Sequence, residues 1–471
     1  IKEGTAITAP RPVDLSKRVP VAVGLGCQIR GVCLPHPDPV DPVSMISGVR
    51  KRFAFRPPAP KARLLDKLGR FVYRWIRRNL TPLSPASDVS VATWLRRVNH
   101  PDWRKAELAA CWEDSGEILL HFQPGMDWKK DRKLRKLFEC KSFMKDEHYE
   151  EYKYPRGINS RSDVFKCAVG PVFKLIEDQV YSNPHFIKHV PVPERARYIR
   201  DKLYRVGATY VATDYTAFES LFTREVMSSV EMQLYEYMTQ LLPCGRWWFH
   251  LVNSTLTGRN VCRFKHFSTT VSATRMSGEM CTSLGNGFSN LMFMLFLCER
   301  LKVSWVDGVV EGDDGLFSVV GNVPTTQDFA DLGLVIKLES FGQIEKAGFC
   351  KLHFDPEELI NVTNPWAKLA KVGWTSGKYA RSKKTVHMQL LRCKALSLLH
   401  EHAGCPVLQS YGEYLLRATR CVNSGLRSFA LNHRGAWSQY ERERIVSAID
   451  WSASFKRIEP GAGTRNLVTD L

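Results

Sequence analysis

The sequence lacks any long apolar run. Its longest, Leu291–Cys298 (LMFMLFLC), falls far short of the roughly 18 residues that cross a bilayer as a helix, so no membrane-spanning helix is expected. It also lacks a cysteine framework. The 13 cysteines are odd in number and show no repeated CxxC spacing, which points to a reducing compartment rather than a disulfide scaffold. No repeat of fixed period is present, which excludes a solenoid. No initiator methionine or apolar leader opens the chain at Ile1; the expectation is a processed product, a readthrough portion or a trimmed chain. Acidic residues are in short supply, 48 against 67 Lys and Arg, for a net charge of +19. Such an excess points to a polyanionic partner, nucleic acid first and an anionic membrane surface second, with solubility alone as the plain alternative.

What is present suffices for a large core. With 44% hydrophobic and 24% charged residues over 471 positions, wholesale disorder is excluded, and two or three subdomains are expected. The first sixty residues are rich in Pro and Gly, above all Val19–Pro42, and end in Arg56-Pro-Pro-Ala-Pro60; they read as an extended arm lying over other parts of the protein. In Lys61–Arg78, Leu64, Leu65, Leu68, Phe71, Val72 and Ile76 fall on one helical face and cations on the other. Trp128–Lys136 is the densest positive run.

From Ala208 the texture changes. Ala208–Asp214 reads as a strand, Phe222–Leu242 and Glu279–Leu301 as helices, and Trp305–Val320 as a hairpin with Gly312-Asp-Asp-Gly315 at its tip. A helix over Thr325–Leu332, strands at Leu334–Leu338 and Gly348–Phe354, and helices over Val386–Leu399, Val407–Cys421 and Trp437–Ile449 are expected next. The last residues (PGAGTRNLVTDL) read as a loose tail. Strands and helices in mixed order argue an α+β fold.

Asp214 ends an expected strand and Asp313-Asp314 occupy a hairpin tip. Carboxylates on two adjacent rigid elements are what phosphoryl transfer with a pair of divalent cations demands. Gly-Asp-Asp alone is weak, since Asp-Asp-Gly is also ordinary turn chemistry. Its surroundings decide. Asp214-Tyr-Thr-Ala-Phe-Glu219, then Ser277-Gly-Glu-Met-Cys-Thr282-Ser-Leu-Gly-Asn286, then Gly312-Asp-Asp314 stand in that order. They resemble motifs A, B and C of the RNA-dependent RNA polymerases of positive-strand RNA viruses. Arg275-Met-Ser-Gly and the N-terminal half most resemble the tombusvirus-like lineage, and the ordered match runs from about Cys140 to Phe354.

The resemblance implies a right-hand fold. The arm over 1–60 would bridge fingers and thumb. Residues 61–207 would form the fingers, with motif F at 140–161. Residues 208–355 would form the palm, with a fingers insertion near 240–270, and 356–471 the helical thumb and tail. It implies Asp214 and Asp313 as main metal ligands, Asp314 as a weaker one, and two Mg²⁺ as cofactor, with Mn²⁺ able to substitute. Glu219 stands where the family usually has Asp to recognise the ribose 2′-hydroxyl, so the longer side chain alters that contact; a carboxylate facing a helix dipole is the bland alternative. Ser277 and Gly278 would form a flexible loop, with Thr282 and Asn286 on one face of the following helix pointing into the site; helix capping is the alternative for Ser277 and Thr282. Asn290 continues that face and reads as structural. Lys141–Arg161 resembles motif F, with Arg156 and Arg161 first and Lys145 and Lys153 next as triphosphate contacts, against a solvated loop that also holds Asp146, Glu147, Glu150 and Glu151. Gly333–Lys337 resembles motif D, with Lys337 as general acid to pyrophosphate. Phe349-Cys350-Lys351 resembles motif E; Cys350 has no implied catalytic role.

Less specific patches remain. Trp247-Trp248 with Arg259, Arg263 and Lys265 reads as template path or core, and His400-Glu-His402-Ala-Gly-Cys405 as a helix end rather than a zinc site. Arg381, Lys383 and Lys384 would hold product duplex or be solvated. The implied partners are template and nascent RNA, ribonucleoside triphosphates and viral replication proteins, in the host cytoplasm on membranes reached through a partner. Reverse transcription is the rival activity, disfavoured by Glu311-Gly312 where those enzymes carry an aromatic residue. A non-catalytic RNA-binding scaffold derived from a polymerase is the other rival.

Overall fold

The structure, a computed structural model, describes residues 1–14, 20–123, 126, 130–433 and 439–471, with residues 439 and 440 described by their backbone alone. Val19, Trp128 and Lys129 of the basic run, and Trp437 at the start of an expected helix, lie outside the described residues.

The N-terminal arm contributes two short strands, β1 (Ala6–Ile7) and β2 (Ala22–Gly24), and a helix at Pro42–Gly48 that Asp41 caps through the Ser44 N–H. The apolar spacing after Pro60 then builds α1 (Ala62–Asn79), which buries Leu64, Leu65, Leu68, Phe71, Val72, Trp75 and Ile76. A hairpin of β3 (Cys140–Met144) and β4 (Gly157–Ser160) precedes α2 (Asp163–Tyr181). Next come β5 (Thr209–Tyr215), the short α3 (Phe218–Leu221), β6 (Arg259–Arg263), β7 (Ser268–Ser272) and α4 (Thr282–Arg300). The chain continues through β8 (Trp305–Glu311), β9 (Asp314–Val320), β10 (Ile336–Phe341) and β11 (Trp374–Ser376) to a helical C-terminal part that includes α5 (Lys384–His402), α6 (Gln439–Ser452) and α7 (Ala462–Asp470), with helices over Leu408–Ala418 and Leu426–Asn432 between the first two. Helix and sheet are mixed, as an α+β reading requires.

Two sheets organise this order. A five-stranded sheet runs β1-β7-β6-β3-β4, and a four-stranded antiparallel sheet runs β10-β5-β9-β8. Thr213 and Tyr215 of β5 point to the face that α4 covers, because both hydroxyls donate to Asn290 of α4. Strand alternation therefore puts Asp214 on the opposite face. Helix α4 is buried on nearly every side, between this sheet and α1, where Phe71 meets Phe296 and Trp75 meets Phe288. A phenylalanine as fully buried as Phe288 contributes roughly 1.5–3 kcal/mol of transfer free energy.

The arm is tied down at two points by strand pairing. β1 pairs with β7, and β2 pairs with β11 through Gly24↔Trp374, Val23↔Thr375 and Ala22↔Ser376. The β3–β4 loop joins the same region. Asp146 accepts from Ser376 and pairs with His36 at 2.6 Å, while Glu150 pairs with Lys351 and Lys371 at 3.1 and 3.3 Å.

Several expectations need correction. The helix expected over Phe222–Leu242 is two helices, Arg224–Ser229 and Glu231–Thr239, broken at Val230, whose φ of −122° and ψ of −86° leave the helical region. Gly348–Phe354 is a tight turn, with Cys350 and Lys351 both at positive φ and the Phe349 and Leu352 backbones bonded to each other. The C-terminal residues are no loose tail: Glu358 accepts from the Gly461, Gly463 and Thr464 N–H groups, Lys346 pairs with Asp470, and α7 forms. One distant carboxylate here does the work of an N-cap, against the positive end of the helix. Glu358→Ala should therefore cost about 1–3 kcal/mol and abolish slow amide exchange over 461–470. Unchanged protection there would show that α7 is held by its apolar contacts alone.

Candidate active site

The acidic cluster is built by strand register. Glu311 pairs with Asp314 across β8 and β9, leaving Gly312-Asp313 as a two-residue turn in which Gly312 takes φ of 61°, as tight hairpins require. β5 and β9 pair as far as Thr213↔Gly315, and one step further the same register sets Asp214 beside Asp314. On the other side Lys337 pairs with Asp214. Directly opposed residues stand about 5 Å apart at Cβ, so Lys337, Asp214 and Asp314 line up across three strands.

Asn290 fixes this arrangement. Fully buried in α4, it donates from Nδ2 to the Asp313 carbonyl at 3.0 Å, and its Oδ1 accepts from Thr213 at 3.3 Å and Tyr215 at 3.2 Å. One amide thereby ties the turn, β5 and the helix together. Gly315 makes room for it, since a Cβ there would stand 2.7 Å from Thr213 Oγ1 and 2.8 Å from Asn290 Nδ2.

Asp313 and Asp314 open onto solvent while protein crowds their other sides. That lost hydration is the main reason both carboxyls titrate above the usual range. Glu219 raises Asp313 further, whereas its backbone hydrogen bonding, Arg156 and Arg52 hold it down. Asp314 is pushed up to about 7 by burial and by Asp313, with Glu311 and Asp214 adding to the rise and the Cys350 thiol, which donates to it, opposing. Among the described residues no three His, Cys, Asp or Glu side chains are gathered to metal-ligating distance, so the carboxylates interact without converging on one point.

The second wall comes from α3 and the loop before α4. Ala217 at φ of 50° turns the chain after β5, and Glu219 lies 3.5 Å from the Ser277 hydroxyl, which donates to it. Gly278 adopts φ of 109° and packs so tightly that a Cβ would sit 3.1 Å from the Asn159 carbonyl, a position for glycine on both counts. Thr282 donates to the Met276 carbonyl at 3.0 Å, so its hydroxyl closes the loop. The Asn286 Oδ1 accepts from Arg275 Nε at 3.0 Å. Arg275 is wholly buried, ion-paired with Glu231 at 2.6 Å and set 4.3 Å over the Phe222 ring, while its backbone N–H donates to the Glu219 carbonyl. It thus positions both Glu219 and Asn286.

The β3–β4 loop brings the cations. Arg156 makes a fork to Glu147, Nε at 2.7 Å and Nη2 at 2.8 Å, and its charge acts on Asp313. Burial works against the Glu147 charge, yet the Arg156 fork, Lys145 and Tyr149 hold this carboxyl down to about 2. Lys145 stands 3.2 Å from Glu147, Lys153 is exposed on the loop, and the exposed Lys337 pairs with Glu339 at 2.6 Å. Arg161 departs from expectation. It is 3% exposed and sunk beneath the loop, with Nε on Glu279 at 2.7 Å, Nη1 on the Phe138 carbonyl and Nη2 on Asn260 at 2.6 Å; its charge braces β4 against β6 and does not reach the cleft.

Several further readings are placed. Trp248 is core and donates to the Val169 carbonyl; Trp247 donates to the Phe122 carbonyl, and Arg263 pairs with Glu139 at 2.7 Å. His400 and His402 close α5, as a helix end should. Sequence reasoning missed the Arg275–Glu231 pair, the Arg195–Glu311 pair at 2.5 Å behind the hairpin, the Glu147 clamp and the Cys350 contact. Local spacing carries no signal for partners 44 to 118 residues apart, such as Arg275 with Glu231 or Arg161 with Glu279.

This order of acidic strand, loop–helix and acidic hairpin matches a known family. The family model for viral RNA-dependent RNA polymerase covers residues 165–407, more than half of the chain. The chain belongs to the viral RNA-dependent RNA polymerase family. Within it, the chain is 25% identical over 313 residues to an RNA-directed RNA polymerase of Melon necrotic spot virus, across 60% of this chain and 38% of that protein. It is 30% identical over 199 residues to the RNA-directed RNA polymerase of Atlantic halibut nervous necrosis virus, across 40% of this chain and 19% of that one. The chain therefore spans well under half the length of these polymerases.

Two outcomes follow from the geometry. Asn290→Ala should cost about 2–4 kcal/mol in chemical denaturation, because it strands the Asp313 carbonyl and two hydroxyls; a loss within 0.5 kcal/mol would refute the linking role. For Asp314, the folded pKa near 7 lies above that of an unfolded Asp. Its contribution to stability is complete below the unfolded pKa and is lost as pH rises toward and through 7. Asp314→Asn should then match wild type near pH 4 and melt a few degrees higher at pH 8 without divalent ions; equal melting temperatures at both pH values would contradict the assignment.

Proposed function

We propose that this chain carries the catalytic centre for template-directed RNA synthesis from ribonucleoside triphosphates, in viral genome replication and transcription. The observation that carries this reading is the junction of Asp214 with Asp313-Asp314, on neighbouring strands bound to one buried asparagine. In this reading the four-stranded sheet with α4 is the palm (208–355). Residues 61–207 and the segment near 240–270 are the fingers, 356–471 the thumb, and the arm over 1–60 bridges fingers and thumb through its pairings with β7 and β11.

The donor set fits a hard divalent cation: all oxygen, with two carboxyls raised first by lost hydration and then by neighbouring carboxylates. Asp214, Asp313 and Asp314 would hold two Mg²⁺, or Mn²⁺ in their place, which when bound supply Lewis-acid activation and charge neutralisation for phosphoryl transfer. The protein's own groups do the rest. Arg156, fixed by Glu147 above Asp313, offers its remaining Nη1 face to the triphosphate, with Lys145 and Lys153 beside it. Glu219, Ser277 and Asn286 line the wall where the ribose hydroxyls sit, Gly278 lets the backbone approach, and Thr282 shapes the loop. Lys337, whose pKa Glu339 and then Asp214 raise, keeps its proton at neutral pH and delivers it to the departing pyrophosphate.

Template RNA, nascent RNA and nucleoside triphosphates are the ligands of this cleft. Viral replication proteins would bring the chain to membrane-associated complexes in the host cytoplasm; no helix among the described residues is long and apolar enough to cross a membrane.

Incorporation of labelled ribonucleotides on a short RNA template with Mg²⁺ or Mn²⁺ tests the reading. Wild type should incorporate, Asp214→Ala and Asp313→Asn should lose at least a thousandfold, and Arg156→Gln should raise KM for the nucleotide about tenfold or more. Undiminished incorporation by Asp313→Asn would overturn the metal assignment. Strong preference for deoxyribonucleotides would favour reverse transcription, and RNA binding without any incorporation would favour a scaffold.

A further inference from the structure

The cationic face of α1 takes no part in the site described. Arg63, Lys67, Arg70, Arg74 and Arg77 recur every three or four residues on the exposed side of this helix, and the exposed Arg78 adjoins the last of them, a stripe about 22 Å long at 1.5 Å per residue. Asp66 is the one acid of the helix. Arg74 pairs with Glu299 at 2.8 Å, and the Arg77 guanidinium lies 3.3 Å over the exposed Tyr73 ring. Among the described residues no carboxylate stands within ion-pair distance of Arg63, Lys67, Arg70 or Arg78. Such a concentration of unneutralised charge repels itself and costs stability unless a polyanion occupies it.

Its position separates it from the cleft. α1 packs on α4 through Phe71–Phe296 and Trp75–Phe288. α4 covers the sheet face to which Thr213 and Tyr215 point, and Asp214 lies on the other. Two packed layers of about 10 Å each thus stand between the stripe and the carboxylates. A strand held on α1 is not the strand held at Asp214.

We propose that the outward face of α1 is a second, sequence-independent RNA site that grips phosphate backbone on the side of the molecule away from the acidic cleft. Five of the six cations are arginines, whose planar forks take phosphate oxygens in pairs, and the Arg77–Tyr73 stack adds an aromatic platform of the kind that single strands use. A bilayer is the poorer occupant. Interfacial helices insert an apolar face, whereas α1 has committed Leu64, Leu68, Phe71, Val72, Trp75 and Ile76 to the core. The choice of RNA as the polyanion rests on the function proposed above.

The test is a triple variant, R63Q/K67Q/R70Q, at exposed positions remote from the cleft, with its fold verified by its melting temperature. Affinity for a 60-nucleotide RNA is measured across a salt series, and incorporation on a 10-nucleotide template is measured in parallel. The expected result is about tenfold weaker binding of the long RNA, with a log–log salt slope shallower by about 2, since each lost single-strand phosphate contact removes about 0.7, and unchanged incorporation on the short template. Arginine-to-lysine changes at positions 63 and 70 should retain the salt slope. Unaltered affinity and slope would overturn the proposal, as would a variant that loses binding to phosphatidylserine vesicles while holding long RNA normally. If wild type fails to incorporate nucleotides yet the triple variant still loses long RNA, the polymerase reading falls and this site stands.

Discussion

Asn290 is the contact on which the candidate site depends. Its single amide satisfies the Asp313 carbonyl in the hairpin turn and two hydroxyls on β5. The three acidic residues reach one neighbourhood because a helix between them and α1 carries this side chain at the right turn. Buried polar groups are costly when unsatisfied and specify geometry when satisfied. Here the satisfied network sets register, and register sets where the negative charge lies.

Around that junction the chain uses ion pairs, most of them between residues distant in sequence, to hold other groups at fixed positions. Arg275 is paired with Glu231 and holds both Glu219 and Asn286; Glu147 holds Arg156 over Asp313; Arg195 holds Glu311 at the root of the hairpin. Such pairs contribute little net stability against apolar replacements, and removing one partner leaves a stranded charge. Their use at this density beside one cleft is consistent with positioning as their role. The arm and the β3–β4 loop are tied to the chain beyond residue 350 through strand pairing and the Asp146 and Glu150 contacts.

Much of this was legible in the sequence because it is local. Ala208–Asp214 reads as a strand, Trp305–Val320 as a hairpin with Gly312-Asp-Asp-Gly315 at its tip, and Glu279–Leu301 as a helix, while one-faced apolar spacing marks α1. The less legible parts depend on distant partners. Arg161 reads as a phosphate contact by its motif, yet Glu279, Asn260 and the Phe138 carbonyl draw it inside. The terminal PGAGTRNLVTDL has the composition of a tail, yet Glu358, about a hundred residues earlier, caps it into α7. Three of the four acids of the 145–156 loop, which read as signs of a solvated segment, are the clamps: Glu147 on Arg156, Asp146 on His36, and Glu150 on Lys351 and Lys371.

In the function proposed above, Asp214, Asp313 and Asp314 would share one cation site. Loading the protein with Fe²⁺ in place of Mg²⁺ and mapping hydroxyl-radical cleavage of the backbone tests it without relying on turnover. Cuts should fall around Asp214, around Gly312–Gly315 and on the adjoining strand at Lys337, suppressed by excess Mg²⁺ and absent in Asp214→Ala. Cleavage elsewhere, or cleavage at the hairpin that Asp214→Ala leaves unchanged, would contradict a shared site.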